Sequence, residues 1–177
     1  MVDQEDTAPV VVTGATGYVG GRLVPELLGA GYRVRCVARR AIALDDRPWR
    51  NDVEVVEADL AVPDQVEAAL KGAQAAYYLV HSMASSEAFE QMEQEMAEVF
   101  VEAAERADLE RVVYLGGLGH DAEKHSAHLA SRHRVGEILA AGRTPVVELR
   151  AAVIIGSGSA SFEMLRSLVE VLPVMVV

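Results

Sequence analysis

The sequence predicts an α/β fold: a doubly wound, mainly parallel sheet with helices on both faces. One observation is a β-branched run, Val10, Val11, Val12 and Thr13, that gives way at once to glycine. Gly14, Gly17 and Gly20 then recur at steps of three, and Leu23, Leu27 and Leu28 mark an amphipathic helix. A second is that short apolar runs and helix-period segments alternate from there onward, the pattern of a parallel sheet with crossover helices. A third is size: 177 residues, 51% of them apolar, suit one domain with a substantial buried core.

The glycine spacing has a steric reason. A tight turn needs an unhindered backbone at Gly14, a phosphate approaches the chain closely only where no Cβ stands in the way, as at Gly17, and Gly20 lets the helix lie against the sheet. Unpaired N–H groups at the helix start carry partial positive charge and suit a pyrophosphate. Strand, glycine turn and helix together form the opening unit of a dinucleotide-binding fold, so the expected cradle is Gly14, Ala15, Thr16, Gly17, Tyr18 and Val19.

TGATGYVG resembles the GxxGxxG motif of the extended and atypical short-chain dehydrogenase/reductases. The resemblance extends over nearly the whole chain. It implies a Rossmann-type NAD(P)-binding domain, and the later landmarks are read beside it.

Charge and composition exclude several classes. There are 27 acidic against 16 basic residues, a net charge of −11, which disfavours nonspecific nucleic-acid binding because nothing offsets repulsion from phosphates. The single Cys36 excludes an internal disulfide and a cysteine-based zinc site. Residues 1–8 read as a disordered acidic segment and no signal peptide. No apolar run approaches the roughly 20 residues of a membrane span, so the cytoplasm is the default compartment.

Taken in order, the first helix is expected over Tyr18–Ala30, with Pro25 inside it giving a gentle kink, eased because Gly21 sits one turn back. The second strand is Arg33–Val37. An NAD-preferring site places Asp or Glu at this strand end for the ribose 2′-hydroxyl, whereas here stand Ala38, Arg39 and Arg40. A guanidinium pairs with a 2′-phosphate that a carboxylate would repel, so NADP(H) is favoured, with NAD(H) left open. Arg39 is preferred over Arg40 as the ligand; two solvated loop arginines are the plain alternative.

The third strand is Val53–Glu57, followed by Asp59 and Leu60. The resemblance implies that this Asp-Leu pair borders the adenine; a cap or turn role is the alternative for Asp59. A helix over Pro63–Lys71 leads through Gly72 to the fourth strand, Ala75–Val80. Parallel strands line a ligand crevice with their C-terminal ends, which puts Val80, His81 and Ser82 near the nicotinamide ribose. His81 is either a hydrogen-bonding group there or a strand-end histidine.

A helix follows over Ser85–Arg106. Phe89, Met92, Met96, Val99 and Ala103 share one face, and glutamates, Glu93 among them, occupy much of the rest. The stripe reads as sheet packing with a solvated acidic face; the alternative is a homodimer seam. The fifth strand, Arg111–Leu115, runs into Gly116 and Gly117, with Gly116 counted among the cofactor-side residues. The resembled family usually ends this strand in a serine.

That family also carries a catalytic Tyr-x-x-x-Lys pair at the next helix, which here reads SAHLASRHRVGEIL. One alignment puts Leu129 and His133 at the two places; a shift by one gives His128 and Arg132. Neither supplies a tyrosine. His133 is left to bond the ribose or protonate a substrate oxygen, or to be a surface histidine. His120, His125, His128 and His133, with Asp121 and Glu123, lack a converging ligand set, so no metal is expected.

The sixth strand, Pro145–Arg150, leads to Gly156 and Gly158, which resemble the family's glycine loop beside the nicotinamide, and to a helix over Ala160–Leu172. Residues 9–177 thus read as the dinucleotide-binding domain of a longer protein, ending before a substrate-binding region. The strand order expected is 3-2-1-4-5-6. The leading expectation is an NADP(H)-dependent oxidoreductase acting on an unidentified small molecule, with His133 and His81 as the candidate catalytic groups. A noncatalytic redox sensor or assembly subunit competes with it, and a sugar-nucleotide epimerase or dehydratase is weaker because those enzymes also use the tyrosine–lysine pair.

Overall fold

The computed structural model describes residues 7–80, 87–118, 127–152 and 154–171. Strands β1 (Val10–Thr13), β2 (Val34–Ala38), β3 (Glu54–Glu57), β4 (Ala75–Tyr78), β5 (Arg111–Gly117) and β6 (Val146–Ala151) form one sheet. All five pairings are parallel, and the order is β3-β2-β1-β4-β5-β6, the predicted one. Between the strands run α1 (Tyr18–Gly29), α2 (Pro63–Leu70), α3 (Glu87–Arg106) and α4 (Ala127–Ala141), and α5 (Ala160–Val171) follows β6. Two short 3₁₀ turns, Ala41–Leu44 and Arg50–Asp52, occupy the connection from β2 to β3.

Burial on both faces explains the continuous apolar strand sequences. Along β1, Val11 joins a core with Val66, Leu70, Phe100, Val112 and Leu139 from the α2, α3 and α4 side. Val10 and Val12 point the other way, to Val24, Leu27, Leu44 and Trp49 on the α1 side. Fully burying each such side chain contributes about 1.5–3 kcal/mol. Helix α1 passes through Pro25 without interruption. Helix α3 ends in a left-handed residue, Asp108 (φ +54°), with the Leu109 amide donating to the Ala104 carbonyl at 3.1 Å.

Two readings of the sequence are corrected here. The fifth strand extends through both glycines, with Gly116 opposite Arg150 and Gly117 opposite Ala151. The buried face of α3 is also rotated from the predicted stripe. Phe89 and Met92 are 40% and 38% exposed, whereas Glu93, Ala97, Phe100 and Ala104 are buried. The helix is wedged between α2 and α4 as well as lying on the sheet, so its buried arc is wider than a sheet-facing stripe. Glu93 tolerates that position because its Oε2 accepts the Ser131 hydroxyl of α4 at 2.7 Å.

Candidate functional site

The chain direction around the sheet reverses between β1 and β4, and a crevice opens at their C-terminal ends. Backbone pairing of the two strands stops at Val12 opposite Tyr77. Beyond it the Thr13 hydroxyl takes over, donating to the Tyr77 carbonyl at 3.0 Å and accepting the Leu79 amide at 3.1 Å. Thr13 is 1% exposed, so water does not compete for these bonds.

The glycine turn rests on this stitch. Gly14 takes φ +71°, and a Cβ on it would stand 2.8 Å from the Leu79 carbonyl oxygen. A Cβ on Gly20 would fall onto the Gly14 carbonyl, so the helix and the turn are in backbone contact. The close approach credited to Gly20 is therefore made to the turn itself. Gly17 precedes α1, and the helical ladder begins with the Gly21 amide bonding to the Gly17 carbonyl at 2.9 Å. The amides of Tyr18, Val19 and Gly20 lie ahead of that ladder, the donors a phosphate oxygen uses. Ala15 is fully buried, and Thr16 and Gly17 are exposed. These residues fit the phosphates of a dinucleotide.

Arg39 and Arg40 stand exposed just past β2, and no carboxylate pairs with either among the described residues. The Glu57 carboxylate, across from Ala38, instead accepts the Ala41 amide at 2.6 Å and fixes the start of the loop. The same loop sends in a residue that sequence reading passed over. Arg47 reaches the glycine turn and donates to the Thr16 carbonyl at 2.6 Å. Beside it the buried Trp49 indole donates to the Gly21 carbonyl at 3.2 Å. Their only sequence signal was membership of an arginine-bearing loop after β2.

Asp59 makes the local turn named as its alternative. Its carboxylate accepts the Ala61 amide at 3.0 Å while its own amide donates to Gln65 at 2.8 Å. Leu60 is buried in the core, and Val80 packs against that core from the end of β4. His81, Ser82, His120, Asp121, Glu123 and His125 lie outside the described residues. Among the described residues no cluster of His, Cys, Asp or Glu is arranged for a metal.

At the end of β5 the space beside Gly116 belongs to Glu148 of β6, whose carboxylate occupies the place of a side chain there. The Leu129 side chain of α4 lies against Gly117, 2.8 Å from where its Cβ would be. His133 is on the same helix, one-third exposed, with Nε2 at 3.5 Å from the Glu137 carboxylate. The nearby Tyr114 is committed elsewhere: its hydroxyl donates to the Arg132 carbonyl at 2.8 Å. Burial pushes its pKa well above the ordinary tyrosine value, and Tyr78 shifts the same way for the same reason.

The loop after β6 closes over the first turn of α1. Gly156 has no room for a Cβ because the Tyr18 hydroxyl occupies the position. Arg22 lies 4.5 Å over the Tyr18 ring and donates to the Ser157 carbonyl at 2.9 Å. Between this loop and Arg47 is a cavity of about 470 Å³, lined by Thr16, Tyr18, Gly21, Arg22, Arg47, Ser157 and Gly158.

Comparison with known proteins agrees with this geometry. A protein family described as NAD(P)H-binding matches residues 14–154. The ceramide reductase of Caulobacter vibrioides is 31% identical over 153 residues, covering 84% of this chain and 47% of that protein. The triphenylmethane reductase of Citrobacter sp., solved with NADP(H), superposes with a TM-score of 0.72 at 21% identity, over 92% of this chain and 55% of that one. WbmH of Bordetella bronchiseptica, solved with NAD+, gives 0.74 at 18% identity, over 92% and 62%. The chain thus spans about half the length of these relatives. The resemblance read from the glycine motif stands: this chain belongs to the NAD(P)H-binding family.

Proposed function

We propose that the chain is the nucleotide-binding part of an NADP(H)-dependent oxidoreductase of the atypical short-chain type, acting on a small molecule. The observation that carries the NADP(H) preference is the end of β2, where Arg39 and Arg40 stand exposed without a carboxylate partner among the described residues. An NAD-preferring site holds an acid at this place. In this reading the Gly14–Gly20 turn holds the pyrophosphate, Arg39 the 2′-phosphate, and Asp59 and Leu60 border the adenine. Val80, His81, Gly116 and His133 lie toward the nicotinamide ribose. The bound dinucleotide supplies or accepts hydride; the protein's part is to orient it and move a proton at the substrate oxygen. His133 or His81 takes that proton-moving place.

Calorimetric titration with NADPH and NADH, repeated with Arg39→Ala, tests the reading. The expected result is an NADPH preference that falls sharply in the variant. Equal affinities for the two dinucleotides, unaltered by the substitution, would overturn it. Pairing of two copies through α3 belongs to the same proposal, supported by the exposed Phe89 and Met92, and sedimentation of Phe89→Ser against the wild type tests it.

Two observations favour a second reading. Leu129, which one of the two alignments sets at the family's tyrosine, is an apolar side chain packed on Gly117, and the Tyr114 hydroxyl is held in a part-buried hydrogen bond. A noncatalytic NADP(H)-binding sensor or assembly subunit needs no proton donor. It predicts dinucleotide binding with no turnover on carbonyl or imine panels by the full-length protein, and a partner affinity that responds to NADPH. Any NADPH-linked turnover removes it.

A further inference from the structure

We propose that Arg47 is a second specificity-determining residue for the phosphorylated dinucleotide, a role that rests on the NADP(H) reading above. Arg47 is set in place before any ligand arrives. The loop that carries it is pinned on either side by Leu44, fully buried, and Trp49, 7% exposed. The Arg47 amide bonds to the Leu44 carbonyl, and its carbonyl accepts the Arg50 amide, each at 3.0 Å. The guanidinium is thereby delivered onto the outer side of the glycine turn, with Nη1 only 3.1 Å from where a Cβ on Gly21 would stand.

Its charge is not neutralised there. The Thr16 carbonyl it bonds is a neutral acceptor, and no carboxylate pairs with Arg47 or with Arg22 among the described residues. Among the described residues the lining of the cavity they flank includes no acid, and the carboxylate beside it, Glu163, is engaged by the Gly158 amide at 3.1 Å, although the chain carries a net charge of −11. A concave pocket bearing two uncompensated guanidiniums in an acidic protein selects a phosphate group. The pyrophosphate is already served by the α1 amides, which NAD and NADP use alike. Arg47 comes instead from the connection between β2 and β3, the stretch that begins with Arg39 and Arg40. The additional charge therefore matches the additional phosphate. On binding, the guanidinium exchanges the Thr16 carbonyl for the 2′-phosphate or holds both with separate N–H groups.

The test is titration of wild type, Arg47→Gln, Arg47→Lys and Arg39→Ala with NADPH, NADH, 2′,5′-ADP and 5′-AMP. Trp49, the single tryptophan, reports folding of the same loop by its fluorescence. Loss of a charge-assisted phosphate contact predicts about 10–100-fold weaker NADPH and 2′,5′-ADP binding by Arg47→Gln. NADH and 5′-AMP affinities should stay within about threefold, and Arg47→Lys should recover part of the loss, because the positive charge remains. Equal weakening of phosphorylated and unphosphorylated ligands would make Arg47 a support of the turn and overturn the inference. So would an NADPH preference that survives Arg47→Gln and is lost only in Arg39→Ala. Wild-type protein without any NADPH preference overturns the underlying reading and this inference with it.

Discussion

Replacing Thr13 with valine removes one hydroxyl and almost no volume, and it isolates the stitch between β1 and β4. That hydroxyl makes two hydrogen bonds in a place 1% exposed to solvent, one to the Tyr77 carbonyl and one from the Leu79 amide. Losing a typical intramolecular hydrogen bond costs about 0.5–1.5 kcal/mol, and leaving a buried donor unsatisfied costs about 1–3 kcal/mol. Together these give about 2–4 kcal/mol for Thr13→Val. At this chain size each kcal/mol shifts the melting temperature by about 2–4 °C, so the expected loss is about 5–15 °C. Thr13→Ser keeps both bonds and loses a methyl group, about 1 kcal/mol. Thermal and urea unfolding followed by circular dichroism separates the two variants. Because Gly14 packs on the Leu79 backbone, Thr13→Val should also weaken NADPH binding, while Thr13→Ser should not. A valine variant as stable as wild type, or a serine variant as damaged as valine, refutes the stitch.

Other substitutions probe the same framework. Gly20→Ala drives a Cβ onto the Gly14 and Ala15 backbone and should cost about 1–3 kcal/mol or more and abolish dinucleotide binding. Gly29→Ala meets nothing within 4 Å and should stabilise α1 by up to about 1 kcal/mol in the same unfolding assay. Asp108→Gly relieves a left-handed non-glycine residue after α3 and should raise stability by about 0.5–1 kcal/mol, read by urea midpoint. Burial pushes the Cys36 thiol from 9.0 up to about 12, with the Arg50 charge opposing weakly. The folded state therefore holds this proton more tightly than the unfolded one. The stability it contributes is complete below pH 9.0 and is lost as the pH climbs toward 12. Urea unfolding on either side of pH 9.0, with a Cys36→Ala control, checks the sign, and native Cys36 should react with thiol reagents only at the rate of opening.

What was legible in the sequence was whatever a short window of chain decides. The β1–turn–α1 unit declared itself because a strand run, three glycines and a helical period are contiguous, and the sheet order followed from repeated crossover units. What was not legible depends on partners distant along the chain. Arg47 finds Thr16 across 31 residues, Glu93 finds Ser131 across 38, Thr13 finds Leu79 across 66 and Arg22 finds Ser157 across 135. Glu93 shows the limit most clearly. Helical periodicity assigns it to water, because a one-dimensional pattern registers the sheet below α3 and not the helix beside it. The β2-end arginines were conspicuous by type and place, whereas Arg47 became a candidate only when the fold brought its loop to the turn.

The carboxylate of Glu148 ties together positions that look independent along the chain. It occupies the side-chain space of Gly116, comes within 3.1 Å of where a Cβ on Gly136 would stand, and bonds to Arg150 at 2.8 Å. Three elements have thus settled on a shared solution with two empty places and one long acid. Gly116→Ser, which would restore the strand-end serine of the resembled family, meets the Glu148 carboxylate, which must turn aside, and the Tyr114 ring edge 3.2 Å from a Cβ there. The serine would draw that carboxylate away from Gly136 and Arg150 as well, so one substitution on β5 is felt on α4 and β6.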